Sequence, residues 1–222
     1  MAQQLQSINL VAPAFKGINT EDSPLAQDPS FAETADNAVI DRRGRIAARK
    51  GNKIVTTDKT ALGTDHINGI HEYEDNEGNN VIFSVGNNEI FTGTTTLTAE
   101  TPTGYTITDN NWKMVTFNDH AYFFQRGYEP LVYQGTATTP SLDTMSTHDH
   151  AQGTPPQANE VLAAFGRLWA ADFNNDKSTI YWSNLLVGHQ WSGGDTGSID
   201  VSKVWPDGYD EIVALAAHNN FL

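Results

Sequence analysis

From Ile67 onward the chain repeats one pattern, and that repetition constrains the fold more than any other feature. A short apolar strand is followed by a polar turn, a second strand rich in aromatics, another turn and a third strand. The first copy runs Gly69-Ile-His-Glu-Tyr73, turns at 76–80, continues Val81-Ile-Phe-Ser-Val85, turns at Gly86-Asn-Asn88 and ends Glu89-Ile-Phe91. The second runs Lys113-Met-Val-Thr-Phe117, turns at Asn118-Asp119, continues His120-Ala-Tyr-Phe-Phe124 and ends Pro130-Leu-Val-Tyr133. The third runs Glu160-Val-Leu-Ala-Ala-Phe165, turns at Gly166-Arg167, continues Leu168-Trp-Ala-Ala171 and ends Thr179-Ile-Tyr-Trp182. A fourth begins Glu211-Ile-Val-Ala-Leu-Ala216 and reaches Phe221-Leu222 as its second strand starts.

Spacings of about 44 to 52 residues are those of propeller blades, each a small sheet that buries its faces against its neighbours. The expected fold is therefore all-β and β-propeller-like, incomplete in this sequence, with an extended N-terminal arm. Residues 161–165 have a composition that also suits a helix, but Gly166 and the strand–turn–strand context favour β. The stretches 135–159 and 183–209 read as long inter-blade loops, a class usually functional or interfacial. The unpartnered apolar edge at Phe221-Leu222 leads us to expect the N-terminal part of a longer chain, or a sheet completed by another chain.

Upstream the composition changes. Residues 1–64 read as an arm and a basic β-hairpin, and residues 65–222 as three blades and part of a fourth. Pro13, Pro24 and Pro29 interrupt the arm, 31–37 suggests a short helical turn, and Ala38-Val-Ile-Asp41 with Arg45-Ile-Ala-Ala48 predicts a hairpin. The chain has 13 Lys+Arg against 27 Asp+Glu, a net charge of −14, yet seven of the basic residues fall together: Arg42, Arg43, Arg45, Arg49, Lys50, Lys53 and Lys59. Such a run is either a solvated hairpin face or a docking surface for an acidic partner or nucleic acid. The acidic balance argues against a general nucleic-acid binder.

With 222 residues, 38% hydrophobic and only 18% charged, against the roughly 25% of an average soluble chain, the surface must rely on Thr, Asn, Ser and Gln. The absence of Cys excludes disulfides, thiolate metal sites and Cys nucleophiles. No run approaches the roughly 20 apolar residues of a membrane helix, and the first 15 residues lack a signal-peptide pattern, so the expected chain is made in the cytoplasm without membrane insertion.

Catalytic motifs are missing: there is no Gly-x-Ser-x-Gly elbow, no phosphate-binding Gly-x-x-x-x-Gly-Lys-Ser/Thr loop and no His-Glu-x-x-His helix. The reading expects no enzyme, catalytic residue, metal or cofactor. Weaker patterns remain. His148-Asp149-His150 would present two imidazoles on one face if extended. Asp172, Asn174 and Asp176 mimic a calcium loop, but Lys177 and Ser183 stand where it needs Gly and Glu. Trp182, Trp191 and Trp205 offer stacking platforms for a sugar. Residues 192–199 approximate the Asp-box of sialidase propellers, with Asp195 and Gly197 out of register.

Two groups of motifs carry a resemblance. Gly17-Ile-Asn-Thr-Glu-Asp-Ser-Pro-Leu25 followed by Ala38-Val-Ile-Asp-Arg-Arg-Gly-Arg-Ile-Ala-Ala-Arg-Lys-Gly51 resembles the start of tail hub or nozzle proteins of short-tailed bacteriophages, also called packaged-DNA stabilization proteins or tail accessory factors. Phe165-Gly-Arg-Leu-Trp169, Thr179-Ile-Tyr-Trp-Ser183, Gly197-Ser-Ile-Asp200, Trp205-Pro-Asp-Gly208 and Ile212-Val-Ala-Leu215 resemble, in order, a blade of those proteins. The resemblance implies a virion protein forming a homohexameric ring below the portal and its adaptor ring, with a channel for the genomic DNA. A tail needle or plug closes such a channel, and tailspikes or fibres attach at its side. On this reading Arg42, Arg43, Arg45, Arg49, Lys50 and Lys53 dock on the adaptor or contact DNA, and Trp191, Trp205 and Asp207 belong to inter-blade loops or interfaces. The chain is shorter than members of that family. The competing expectation is a propeller-type glycan-binding protein or glycosidase.

Overall fold

The structure is a computed structural model that describes residues 16–23, 25–40, 45–57, 61, 63, 65–107, 111–137, 140–204, 211–219 and 221–222. The chain divides into two compact units, Met1–Ile54 and Val55–Leu222. Both are built from strands; the one helical turn among the described residues is the 3-10 turn Val201–Lys203. The all-β expectation holds, and no helix among these residues is long and apolar enough to cross a membrane.

In the first unit, β1 (Gly17–Ile18) pairs in parallel with β2 (Phe31–Ala32), and β3 (Ala38–Ile40) pairs antiparallel with β4 (Ile46–Ala48). The predicted hairpin is therefore present. The predicted helical turn over 31–37 is not: Phe31 and Ala32 extend because the backbone of Gly17 and Ile18 offers them a ladder, continued where the Asn19 amide donates to the Ala32 carbonyl at 3.0 Å.

The second unit holds three antiparallel four-stranded sheets, each with its strands in chain order. The first is β5 (Ile67–Glu74), β6 (Asn80–Gly86), β7 (Glu89–Thr92) and β8 (Thr98–Ala99). The second is β9 (Trp112–Phe117), β10 (His120–Gln125), β11 (Leu131–Tyr133) and β12 (Leu142–Thr144). The third is β13 (Ala158–Ala164), β14 (Arg167–Phe173), β15 (Thr179–Trp182) and β16 (Gly197–Asp200). None closes into a barrel. The outer strands β8, β12 and β16 were not expected, because each is four residues or fewer and lies in a Thr-, Ser- or Gly-rich stretch.

Two-residue turns set the register. Asn87-Asn88, Asn118-Asp119 and Phe165-Gly166 all have positive φ at both positions, the geometry whose twist matches that of paired strands. The third turn lies one residue earlier than the Gly166-Arg167 expected from sequence, because the bulky Phe165 itself takes φ 52°.

Alternation along β10 explains how the sheets stack. Ala121 and Phe123 point to one face, where they meet Tyr73, Phe83, Val85 and Ile90 of the first sheet. Tyr122 and Phe124 point to the other and meet Val161, Leu168 and Ala170 of the third. The middle sheet is thus buried on both faces. Phe83 packs edge-on against Phe123 and against Tyr133, each at 4.9 Å between ring centroids, and burying one such side chain stabilises the fold by about 1.5–3 kcal/mol. The first strands of the sheets lie beside one another, β5 against β9 and β9 against β13.

The fourth repeat does not form a strand over 211–216. Its backbone is occupied otherwise: the Ile212 amide donates to the Lys177 carbonyl at 2.8 Å and the Leu215 amide to Glu160 Oε1 at 3.4 Å, so no ladder is available. Ile212 is buried while Val213 is exposed.

Candidate functional site

Three histidines distant in sequence meet where the second and third sheets adjoin. His120 opens β10 immediately after the Asn118-Asp119 turn. His148 sits in the turn that follows β12, where its amide and that of Thr147 both donate to the Thr144 carbonyl at 3.2 and 3.0 Å. His189 belongs to the loop after β15, closed by the Asn184 amide donating to the Gln190 carbonyl at 2.9 Å. The two loops are tied together, because Gln152 donates to the His189 carbonyl at 3.3 Å and accepts from the Trp191 amide at 2.7 Å.

Gly188 allows the last approach. A Cβ there would stand 2.6 Å from the Tyr122 ring and 2.7 Å from Leu168, so only glycine lets this loop settle onto the core and bring His189 to Tyr122. The ring centroids then lie 5.3 Å apart for His120 and His148, 5.2 Å for His120 and His189, and 4.9 Å for His148 and His189. One ring nitrogen of each lies within 4.8 Å of the other two. Burial, followed by the neighbouring His148, His120 and His150, holds the His189 pKa down to about 4. His148 is lowered too, mainly by burial and then by His120. The imidazoles of His148 and His189 are therefore neutral at pH 7, the form that ligates metals.

Sequence reasoning paired His148 with the wrong partner. His150 points away, 81% exposed, with Nε2 3.3 Å from the Asp149 carboxylate, and its residue takes positive φ instead of extending the chain. The clue to the true cluster was the placement of His120 directly after a two-residue turn; nothing local marks His189.

The calcium-like triplet is corrected by its own cations. Asp172 is buried near the end of β14 at φ 62°, and the guanidinium of Arg126 and the ammonium of Lys177 bind its two oxygens, with Asn159 Nδ2 donating at 2.9 Å. Burial pushes its pKa up, but the bonds from Lys177, Asn159 and Arg126 outweigh that and hold it below the usual carboxylate range. Lys177 and Arg126 fill the place a calcium ion would need. Asp176 accepts from the amides of Ser178 and Thr179, at 3.2 and 3.1 Å.

A cavity of about 510 Å³ lies beside this network, lined by Phe173, Tyr181, Trp191 and Pro155 among others, with Asp176 its sole acidic side chain. Trp182 and Trp191 are both tied by hydrogen bonds to the fold. Trp191 donates its indole N–H to Met145 Sδ at 3.1 Å and Trp182 donates to the Asp195 carbonyl at 3.0 Å. The Asp195 carboxylate lies 3.7 Å from Arg167. Trp205 and Asp207 lie outside the described residues, as do Arg42 and Arg43. Arg45, just before β4, and Arg49, Lys50 and Lys53, after it, are exposed.

These features define an all-β protein of stacked four-stranded sheets carrying a three-histidine cluster. Compared with protein-family models, curated proteins and solved structures, the chain has no match in any of the three.

Proposed function

We propose that this chain is a structural subunit of a bacteriophage tail, part of a hub or nozzle ring below the portal adaptor through which DNA passes. The observation that carries the reading is the succession of three four-stranded antiparallel sheets, stacked through alternating faces with their first strands adjacent, which supports reading them as consecutive propeller blades. The order of the hub-like sequence motifs supports it. So does the chemistry of the carboxylates: Asp75, Asp119, Asp172 and Asp200 are engaged by turn amides, hydroxyls or cations, as in a scaffold. A net charge of −14 suits a conduit, since like-charged walls repel phosphate and let DNA slide. The exposed basic run then docks on the adaptor ring or grips DNA at one end.

Charge reversal tests this directly. Particles carrying Arg43→Glu, Arg45→Glu and Arg49→Glu together should fail to join the adaptor and should leak packaged DNA; intact assembly and retention would remove the reading of the basic run. A glycan-binding propeller is the second reading, favoured by the aromatic cavity at Phe173, Tyr181 and Trp191. Hydrolysis is less favoured there, because glycosidases generally require two carboxylates across the scissile bond and this lining supplies Asp176 alone.

A further inference from the structure

The cluster of His120, His148 and His189 is not used by the tail-hub reading and stands independently of it. Each ring turns its Nδ1 toward a group other than histidine. His120 Nδ1 is 2.8 Å from the Asn118 carbonyl, His148 Nδ1 is 3.8 Å from Asp143 Oδ2, and His189 Nδ1 is 3.3 Å from the Tyr122 hydroxyl. Nε2 is left as the available nitrogen of every ring. Carbonyl and carboxylate partners behind an imidazole are the groups that orient metal-bound histidines and fix their tautomer.

We propose that His120, His148 and His189 bind one divalent transition-metal ion of the zinc class, clamping the second sheet to the loop that follows β15. All-nitrogen donors favour zinc, cobalt, nickel or copper over calcium and magnesium, which take oxygen. Tetrahedral zinc at 2.0–2.1 Å from each nitrogen sets them about 3.3 Å apart, so the rings close by small side-chain rotations from their separation of up to 4.8 Å. His189 is buried while His120 and His148 are half-buried, so the ion can reach the cluster and its fourth position falls to water. The ligands come from β10, from the turn after β12 and from the loop after β15. The bound ion therefore adds to the ties that already join these segments, among them the Gln152 backbone bonds, Asn118 Nδ2 donating to the Leu186 carbonyl at 2.6 Å and Gln190 Nε2 donating to the His150 carbonyl at 3.1 Å.

Calorimetric titration of the chelator-treated full chain with zinc chloride tests the site, with X-ray absorption of the loaded protein identifying the ligands. The expected result is one ion per chain, coordinated by three imidazole nitrogens at about 2.0 Å, with a melting temperature that rises with free zinc. His148→Ala and His189→Gln should each weaken binding by about 100-fold or more, since loss of a direct ligand exceeds the roughly 10- to 100-fold cost of losing an outer-shell partner. His150→Ala should leave binding unchanged. Absence of stoichiometric binding, an absorption spectrum without imidazole, or dependence on His150 instead of His189 would each overturn the proposal. The absorption measurement on the unaltered protein decides the matter even if a variant fails to fold.

Discussion

β10 and β4 are both short antiparallel strands, yet one is buried from its second residue to its last and the other is exposed throughout. The difference extends to their units. Around β10, side chains alternate between two apolar interfaces and reach almost complete burial. Around β4, Ser30 is the one buried residue among those described in its unit, and Ile18, Val39, Ile46 and Ile54 are exposed. The second unit is held by its core, whereas the first is held by short ladders and turns, such as Ser30 donating its amide and hydroxyl to Asp28. A firm body with a lightly packed, cation-bearing segment is what the proposed docking role calls for.

Removing a ring from the body should have the largest effect. Phe123→Ala should destabilise the chain by about 3–5 kcal/mol in urea unfolding, as for large-to-small changes in a closed core, while Ile46→Ala should stay within about 0.5 kcal/mol. Equal effects would erase the contrast between the units. Next comes Asp172→Ala, which leaves Arg126 and Lys177 facing each other without a counter-charge and should cost about 2–3 kcal/mol. The same carboxylate predicts an acid limit. Its pKa is depressed in the folded chain, so its contribution is present above about pH 4 and is lost as pH falls through the lowered value; unfolding midpoints between pH 5 and pH 2 should decline accordingly, and Asp172→Ala should flatten that decline.

Gly188→Ala should cost about 1–3 kcal/mol by overpacking, and histidine NMR shifts should change at His189 while β4 is untouched. The smallest effect is expected at the surface: Arg45→Glu with Arg49→Glu should move thermal stability by no more than about 0.5 kcal/mol, although it should abolish docking. A large loss of stability would place these cations in the fold's support instead of its contacts.

Much of the body was legible because apolar alternation and turn residues agree, as in His120-Ala-Tyr-Phe-Phe124 after Asn118-Asp119. Where local signals were weak, tertiary partners decided. β12 and β16 are polar strands that exist because β11 and β15 offer free edges, and Phe165 enters a turn that its side chain alone would not suggest. Glu211-Ile-Val-Ala-Leu-Ala216 reads as a strand but spends its amides on Lys177 and Glu160. The histidine cluster was least legible, since His120 and His189 are joined by loop packing over Gly188, which leaves no local spacing to read.

The proposed role makes one demand above the rest, a closed ring of identical subunits. Native mass spectrometry of the assembly that this chain forms in its natural source counts those subunits directly. The account predicts six copies in one complex with DNA-channel partners; a single copy, or a complex without rotational multiplicity, would contradict it.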